Sequence, residues 1–153
     1  MVLRVVLVPQ RGYTIIESLV VCALAGLLVG LAVPAAADVR SGLAAGVAAR
    51  ELTVVLRAAQ ARAQAHGART RVEVGADGAV VALELHDDRW ERWGAARLPA
   101  RVESNYPGGV VDFVAAGWPT AAGQESPRAG SFTLLGPRPH SVVVQMAGCV
   151  RCL

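Results

Sequence analysis

The sequence predicts an α+β protein in which a long N-terminal helix, with a transmembrane half and an amphipathic half, packs on an antiparallel β-sheet head. Residues 19–37 form a run of 19 residues without a charge. Apolar residues then recur at helical spacing over residues 52–63, and from residue 69 onward they alternate with a period of two. A helix followed by a series of short strands is typical of this fold class.

The charge-free run is close to the roughly 20 residues that a helix needs to cross about 30 Å of hydrocarbon. Arg4 and Arg11 precede it, which favours a cytoplasmic N-terminus and places the head outside the inner membrane. Glu17 is the one charge within the apolar sequence that follows Gly12. A carboxylate costs roughly 2.5–3.5 kcal/mol at mid-bilayer, so we expect Glu17 to have a partner or a function.

The string GYTIIESL, residues 12–19, resembles the type III signal sequence of type IV pilins and type II secretion pseudopilins. The resemblance implies that a prepilin peptidase cuts between Gly12 and Tyr13 and that Tyr13 is then N-methylated. It also implies that Glu17, fifth in the mature chain, serves filament assembly. Pro34 stands at position 22 on the same count, where many pilins have a proline that bends or loosens the helix.

Three domains follow from this resemblance. Residues 1–12 are a prepilin leader peptide, residues 13–37 a transmembrane and assembly helix, and residues 38–153 a periplasmic pilin-like head. In a filament, the new α-amino group of one subunit would be neutralised by Glu17 of its neighbour. The expected partners are other pilins or pseudopilins, the prepilin peptidase and the inner membrane.

Two other fates of the N-terminal segment stay open. The sequence Ala35-Ala36-Ala37 resembles an A-x-A site, at which an ordinary secretory signal would be removed. A plain signal anchor with an incidental Glu17 is the other alternative.

The head begins with the amphipathic helix, predicted at about residues 47–66, and continues as a β-rich region over residues 69–153. Leu52, Leu56, Ala59 and Ala63 belong to the apolar stripe that should face the sheet. Gly42 and Gly46 suggest a flexible or partly unwound segment before it, and Gly67 should end it.

Six strands are predicted after the helix. Residues 69–74 and 79–85 flank a turn and form a hairpin. Residues 89–93, 110–114 and two later segments, 130–135 and 141–146, read as further strands. The stretches at residues 117–119 and 121–127 look like loops.

The C-terminal half resembles the GspH/FimT family of minor pseudopilins and minor pilins, through residues 130–134, 141–144 and 148–151. The resemblance implies a structural role in filament tip assembly and protein secretion. Some relatives bind DNA during natural transformation through two arginines of the closing motif. DNA uptake is therefore the alternative function, with Arg138 and Arg151 as candidate contacts, although Cys149 replaces the first motif arginine and weakens a phosphate contact. A substrate-contacting or adhesive tip is a third possibility.

Cys149 and Cys152 form a C-x-x-C pair that an oxidising compartment would join as a disulfide, with a free pair as the alternative. A second cysteine or histidine pair at ligand spacing does not occur in the sequence, so we expect no metal site. Motifs for a nucleophile, a phosphate loop or a dinucleotide site do not occur in it either. We therefore expect a protein that is not an enzyme and has no cofactor.

Overall fold

A single helix, α1 (Ile15–His66), precedes nine strands in the described part of the chain. The computed structural model describes residues 14–153, without the side chains of residues 31–42. The chain forms two compact units, Met1–Ala37 and Asp38–Leu153. The backbone stays helical through Gly42 and Gly46, so α1 does not unwind where the sequence suggested. It ends at His66 as predicted, because Gly67 has a φ of 65°.

The strands of the head form two antiparallel sheets, where the sequence predicted one. The larger sheet has the order β3-β2-β1-β5-β6 and the smaller the order β4-β7-β8-β9. The strands are β1 (Thr70–Val74), β2 (Ala79–His86), β3 (Arg89–Arg97), β4 (Val102–Ser104), β5 (Val110–Phe113), β6 (Pro119–Ala121), β7 (Gly130–Leu134), β8 (His140–Val144) and β9 (Val150–Cys152). A 3-10 turn, Pro107–Gly109, leads into β5.

The predicted hairpin is confirmed, since β1 pairs antiparallel with β2 from Thr70 opposite Glu84 to Val74 opposite Val80. The strand expected at residues 89–93 extends to Arg97, with an irregularity opposite residues 82 and 83 of β2. Three short strands, β4, β6 and β9, were not predicted. Each has three residues, which are too few for an alternating pattern to be recognised in the sequence. Each forms by pairing with a longer neighbouring strand.

The buried face of α1 consists mostly of alanine. The predicted stripe is confirmed at Leu52, Leu56, Ala59 and Ala63, which are fully buried. Three further buried alanines, Ala45, Ala48 and Ala49, extend this face beyond the predicted stripe. Phe113 from the larger sheet and Phe132 from the smaller belong to the same core cluster. Burying each large apolar side chain contributes about 1.5–3 kcal/mol, so this shared core is the main attachment of helix to sheets.

Side-chain hydrogen bonds to backbone carbonyls fix the position of α1. The Thr70 hydroxyl donates to the Ala59 carbonyl at 2.9 Å, and the Gln60 amide donates to the Gly117 carbonyl at 2.7 Å. Gly148 lies against the same amide: a Cβ built there would be 2.3 Å from Gln60 Nε2, and its φ is 83°. Glycine is therefore required at this turn for both space and conformation.

A buried ion pair links the central strand of the larger sheet, β1, to its neighbour β5. Arg71 on β1 lies opposite Asp112 on β5, and its Nε and Nη2 donate to the two carboxylate oxygens at 2.7 and 2.9 Å. Asp112 is completely buried, while the Arg71 guanidinium lies 4.2 Å from the ring centroid of Trp90. The hydrogen bond to Asp112 raises the pKa of Arg71 despite its partial burial. The Arg71 guanidinium therefore keeps its positive charge.

Removing one side of this pair should be costly. We expect Asp112→Ala to lower the free energy of unfolding by about 3 kcal/mol, because Arg71 keeps its charge and loses its partner. Asp77→Ala is the matched control, since Asp77 forms an exposed pair with Arg97 at 3.4 Å; its cost should stay below about 1 kcal/mol. Urea unfolding of the full chain in detergent, followed by tryptophan fluorescence, measures both. Equal losses would contradict a special role for the buried pair.

The C-terminal turn of α1 is joined to β2 through Glu84. The Arg62 guanidinium and the His66 ring both contact its carboxylate, whose side chain is 12% exposed. Burial acts to raise the pKa of Glu84, but the hydrogen bonds from Arg62 and His66 outweigh it and the pKa is lowered. Arg62 also lies 5.3 Å from the ring centroid of Trp93 on β3.

The lowered pKa of Glu84 predicts a pH-dependent contribution to stability. A carboxylate whose pKa falls on folding stabilises the fold above its unfolded value of 4.5, and this stabilisation disappears as the pH falls through the lowered pKa. Glu84→Gln should therefore cost about 1 kcal/mol at pH 7 and clearly less at pH 3. Urea unfolding at both pH values tests this, with Glu103→Gln as the exposed control. A cost that is the same at both pH values would be the contrary result.

Candidate functional site

Of the two predicted assembly residues, Glu17 lies at the start of α1. Glu17 is in its first turn and exposed, and its backbone N–H donates to the Thr14 hydroxyl at 3.2 Å. Thr14 therefore caps the helix, and the sequence T-I-I-E matches a capping box, a signal that the sequence analysis missed. A carboxylate is also favourable near a helix N-terminus. Gly12 and Tyr13, the predicted cleavage site, lie outside the described residues.

The first turns of α1 carry large apolar side chains that are exposed. The exposed large ones are Ile15, Ile16, Leu19, Val20, Val21, Leu24, Leu27, Leu28 and Val29. In the part of the chain whose side chains are described, no helix is both long and apolar enough to cross a membrane. The predicted transmembrane segment continues from residue 31 to residue 37, and the side chains of these residues, Pro34 included, lie outside the description.

A basic cleft lies between α1 and β9 in the head. Its volume is about 460 Å³, and its lining residues are Arg50, Thr53, Val54, Arg57, Arg151, Cys152 and Leu153. The four helix residues are spaced i, i+3, i+4 and i+7, which places them on one face of α1. The other three are consecutive at the end of the chain. The cleft therefore brings together arginines that are about a hundred positions apart in the sequence.

One of the three arginines is held in place by the backbone. Arg57 Nη2 donates to the Val150 carbonyl at 2.8 Å, which ties α1 to the edge strand β9. Among the described residues, Arg50 and Arg151 have no carboxylate within ion-pair distance. The hydroxyl of Thr53, which also lines the cleft, donates its hydrogen bond to the Ala49 carbonyl. The cleft thus presents positive charge that the described part of the head leaves uncompensated.

The two arginines predicted to bind DNA have different positions. Arg151 lines the cleft, whereas Arg138 lies in the turn between β7 and β8 and is not one of the lining residues. The arginines that line the cleft together with Arg151 are Arg50 and Arg57. Their spacing of seven residues was visible in the sequence, but nothing in it indicated that β9 would lie beside them.

Cys149 and Cys152 are not bonded to each other in the structure, and the disulfide and the free pair both stay predictions. Residues 150–152 form β9, in which each residue advances the chain by about 3.3 Å. Two cysteines three positions apart along such a strand are separated by about 10 Å, beyond the roughly 7 Å limit for a disulfide. A bond between them would require β9 to detach from β8.

Two of the three tryptophans pack against arginine side chains of the fold. Trp90 and Trp93 lie beneath Arg71 and Arg62, while Trp118 is partly exposed. Within the described residues, no three His, Cys, Asp or Glu side chains come together as metal ligands.

Comparison with known proteins gives a result at the level of structure. No family model and no curated protein sequence matches the chain. Among solved structures, it is similar to the minor pseudopilin EpsH from the type 2 secretion system of Vibrio cholerae, with 16% identity and a TM-score of 0.58 over 71% of this chain and 95% of that one. It is also similar to the type IV minor pilin FimU of Pseudomonas aeruginosa, with 13% identity and a TM-score of 0.59 over 71% and 91%.

Identities this low are evidence for the fold alone. The comparison confirms the predicted α+β class, since an N-terminal helix packs on antiparallel strands in the manner of these subunits. The chain has a type IV pilin-like fold of the kind found in minor pseudopilins and minor pilins.

Proposed function

We propose that this chain is a minor pilin or pseudopilin, a structural and non-enzymatic subunit of a type II secretion or type IV pilus machine. Its role would be to help assemble the filament, at or near the tip, and thereby to support protein secretion. The observation that carries the proposal is a pilin-like head whose helix α1 begins with a series of uncovered apolar side chains.

The uncovered apolar side chains support both a membrane location and a polymer. Exposed apolar surface of this extent marks a membrane or protein contact, and the same helix face can serve each in turn. Before assembly the segment would anchor the subunit in the inner membrane, with the N-terminus cytoplasmic and the head periplasmic. In the filament it would pack against the helices of other subunits.

Glu17 is the residue to which we assign the assembly contact. Its carboxylate is exposed in the first turn of α1, so it can reach a group outside its own chain. The α-amino group of a neighbouring subunit is a cation of suitable charge. In an apolar surrounding such a pair gives register, since a subunit displaced along the axis would leave both charges without a partner.

A pair of substitutions separates this contact from helix capping. Glu17→Ala should leave the protein in the membrane fraction but reduce its incorporation into sheared filaments at least tenfold, because the neighbour's amine loses its partner. Thr14→Ala is the control: it removes the capping hydroxyl, at a cost of about 1 kcal/mol, and keeps the carboxylate. Incorporation of Thr14→Ala should stay near the wild-type level. Normal incorporation of Glu17→Ala would refute the assembly role.

The processing site has its own test. Mass spectrometry of the membrane-extracted protein should find a mature chain that begins with N-methylated Tyr13, as expected if a prepilin peptidase cuts after Gly12. Gly12→Val should retain the leader, whereas Ala37→Leu, which alters the competing A-x-A site, should be processed normally. A mature chain that begins at Asp38 would show that the head is released and would end the polymer proposal.

DNA binding remains the alternative function. The observation in its favour is that Arg151 shares a cleft with two other arginines, which together would neutralise more phosphates than Arg151 alone. No lining residue is aromatic, so the cleft offers no surface on which the unpaired bases of a single strand could stack, and a duplex is the form of DNA that it would bind. Duplex DNA is therefore included as a probe in the experiment described below.

A further inference from the structure

The basic cleft offers three like charges to an anion from outside the head. Arg50, Arg57 and Arg151 line it together, and among the described residues no carboxylate lies within ion-pair distance of Arg50 or Arg151. The main-chain oxygen of Leu153, which also lines the cleft, accepts a hydrogen bond from the Ser141 N–H at 3.1 Å. An incoming carboxylate or phosphate group would be attracted to these charges.

The cleft is also partly preorganised. Arg57 is fixed by its bond to the Val150 carbonyl, and β9 is held on β8 by the pairing of residues 150–152 with residues 142–144. Binding therefore requires the ordering of two arginine side chains instead of three, which lowers its entropic cost.

Exposed apolar side chains in and beside the cleft indicate what kind of ligand carries the anion. Val54 and Leu153 line it and are 66% and 73% exposed. Leu43 and Val47 are also exposed. They precede Val54 by 11 and 7 positions, and this spacing places all three on nearly the same side of α1. A phosphodiester chain would leave this apolar surface uncovered. A protein segment with its own apolar side chains would bury it.

We propose that the cleft is a docking site for an acidic segment of a neighbouring protein subunit, in which at least two carboxylates meet the arginines and apolar side chains cover Val54 and Leu153. The inference rests on the proposed function, because it assumes that the head has neighbours in a filament. Each partly exposed ion pair contributes modestly, so the contact on its own is weak and acts together with the packing of α1.

Binding can be measured on the full chain in detergent micelles by NMR of the arginine side-chain N–H groups. The probe is the blocked peptide Leu-Glu-Glu-Leu, with Leu-Gln-Gln-Leu as its neutral match. The acidic peptide should shift the signals of Arg50, Arg57 and Arg151, and the neutral peptide should not. Arg50→Ala/Arg151→Ala should raise the Kd of the acidic peptide about tenfold, while Arg138→Ala, outside the cleft, should leave it unchanged.

Inorganic phosphate and a short DNA duplex are the competing probes. Failure of the acidic peptide to shift the three arginines, or equal affinity for both peptides, would overturn the proposal. Tighter binding of the duplex at the same arginines, with an affinity that falls steeply with salt, would replace it with the nucleic-acid alternative. Phosphate binding as tight as that of the peptide would reduce the cleft to a simple anion site and would also overturn it.

Assembly in cells separates this inference from the proposed function. Arg50→Glu/Arg151→Glu should enter the membrane and be processed normally, but its incorporation into filaments should fall about tenfold, whereas Arg138→Glu should behave as wild type. If Glu17→Ala blocks incorporation and the arginine double variant does not, the docking inference fails and the subunit role stands. If Glu17→Ala incorporates normally, the subunit role fails whatever the peptide does.

Discussion

Close packing of α1 against both sheets is made possible by the small residues on its buried face. Alanine at positions 45, 48, 49, 59 and 63 leaves Leu52 and Leu56 as the only fully buried large apolar side chains of the described part of α1. The Thr70 hydroxyl can therefore reach the Ala59 carbonyl directly, and the Gln60 amide can reach Gly117. Larger residues at these positions would force the backbones apart and break the bonds, since interiors are packed too tightly to absorb added volume.

The same closeness creates the cleft. Because α1 lies near β9, Arg57 can bond to the Val150 carbonyl, and its neighbours on that helix face come to share a space with Arg151. Arg57 therefore has a structural and an electrostatic role at once. Arg50 and Arg151 have no such bond, which makes them the better positions at which to examine charge without disturbing the fold.

Local patterns explain which parts of the fold could be predicted. The stripe on α1 and the β1–β2 hairpin depend on residues that are near one another in sequence, and both are present as predicted. The division into two sheets depends on distant pairing, such as β1 with β5, and no local pattern indicates it. Asp112 illustrates the limit: its strand was predicted, but the burial of its charge depends on Arg71, 41 positions away.

The candidate site shows the same contrast. Glu17 could be identified because its significance lies in one short string of sequence. The cleft could not be identified from the sequence, because it forms only when the three-residue strand β9 lies beside α1. The two residues that join them, Arg57 and Val150, are 93 positions apart. The resemblance to known families directed attention to Arg151 and Arg138, and the structure joins Arg151 to a different set of arginines.

The position of Leu153 has a practical consequence for work on the purified protein. Its side chain lines the cleft, so any polypeptide fused after it begins within that space. A histidine tag or fluorescent protein attached there would cover the arginines or compete for them, and a tagged sample could be mistaken for one with an inert surface. A label inserted in the exposed loop around Gly123, where a glycine with a φ of 71° has open space around it, would leave the cleft free.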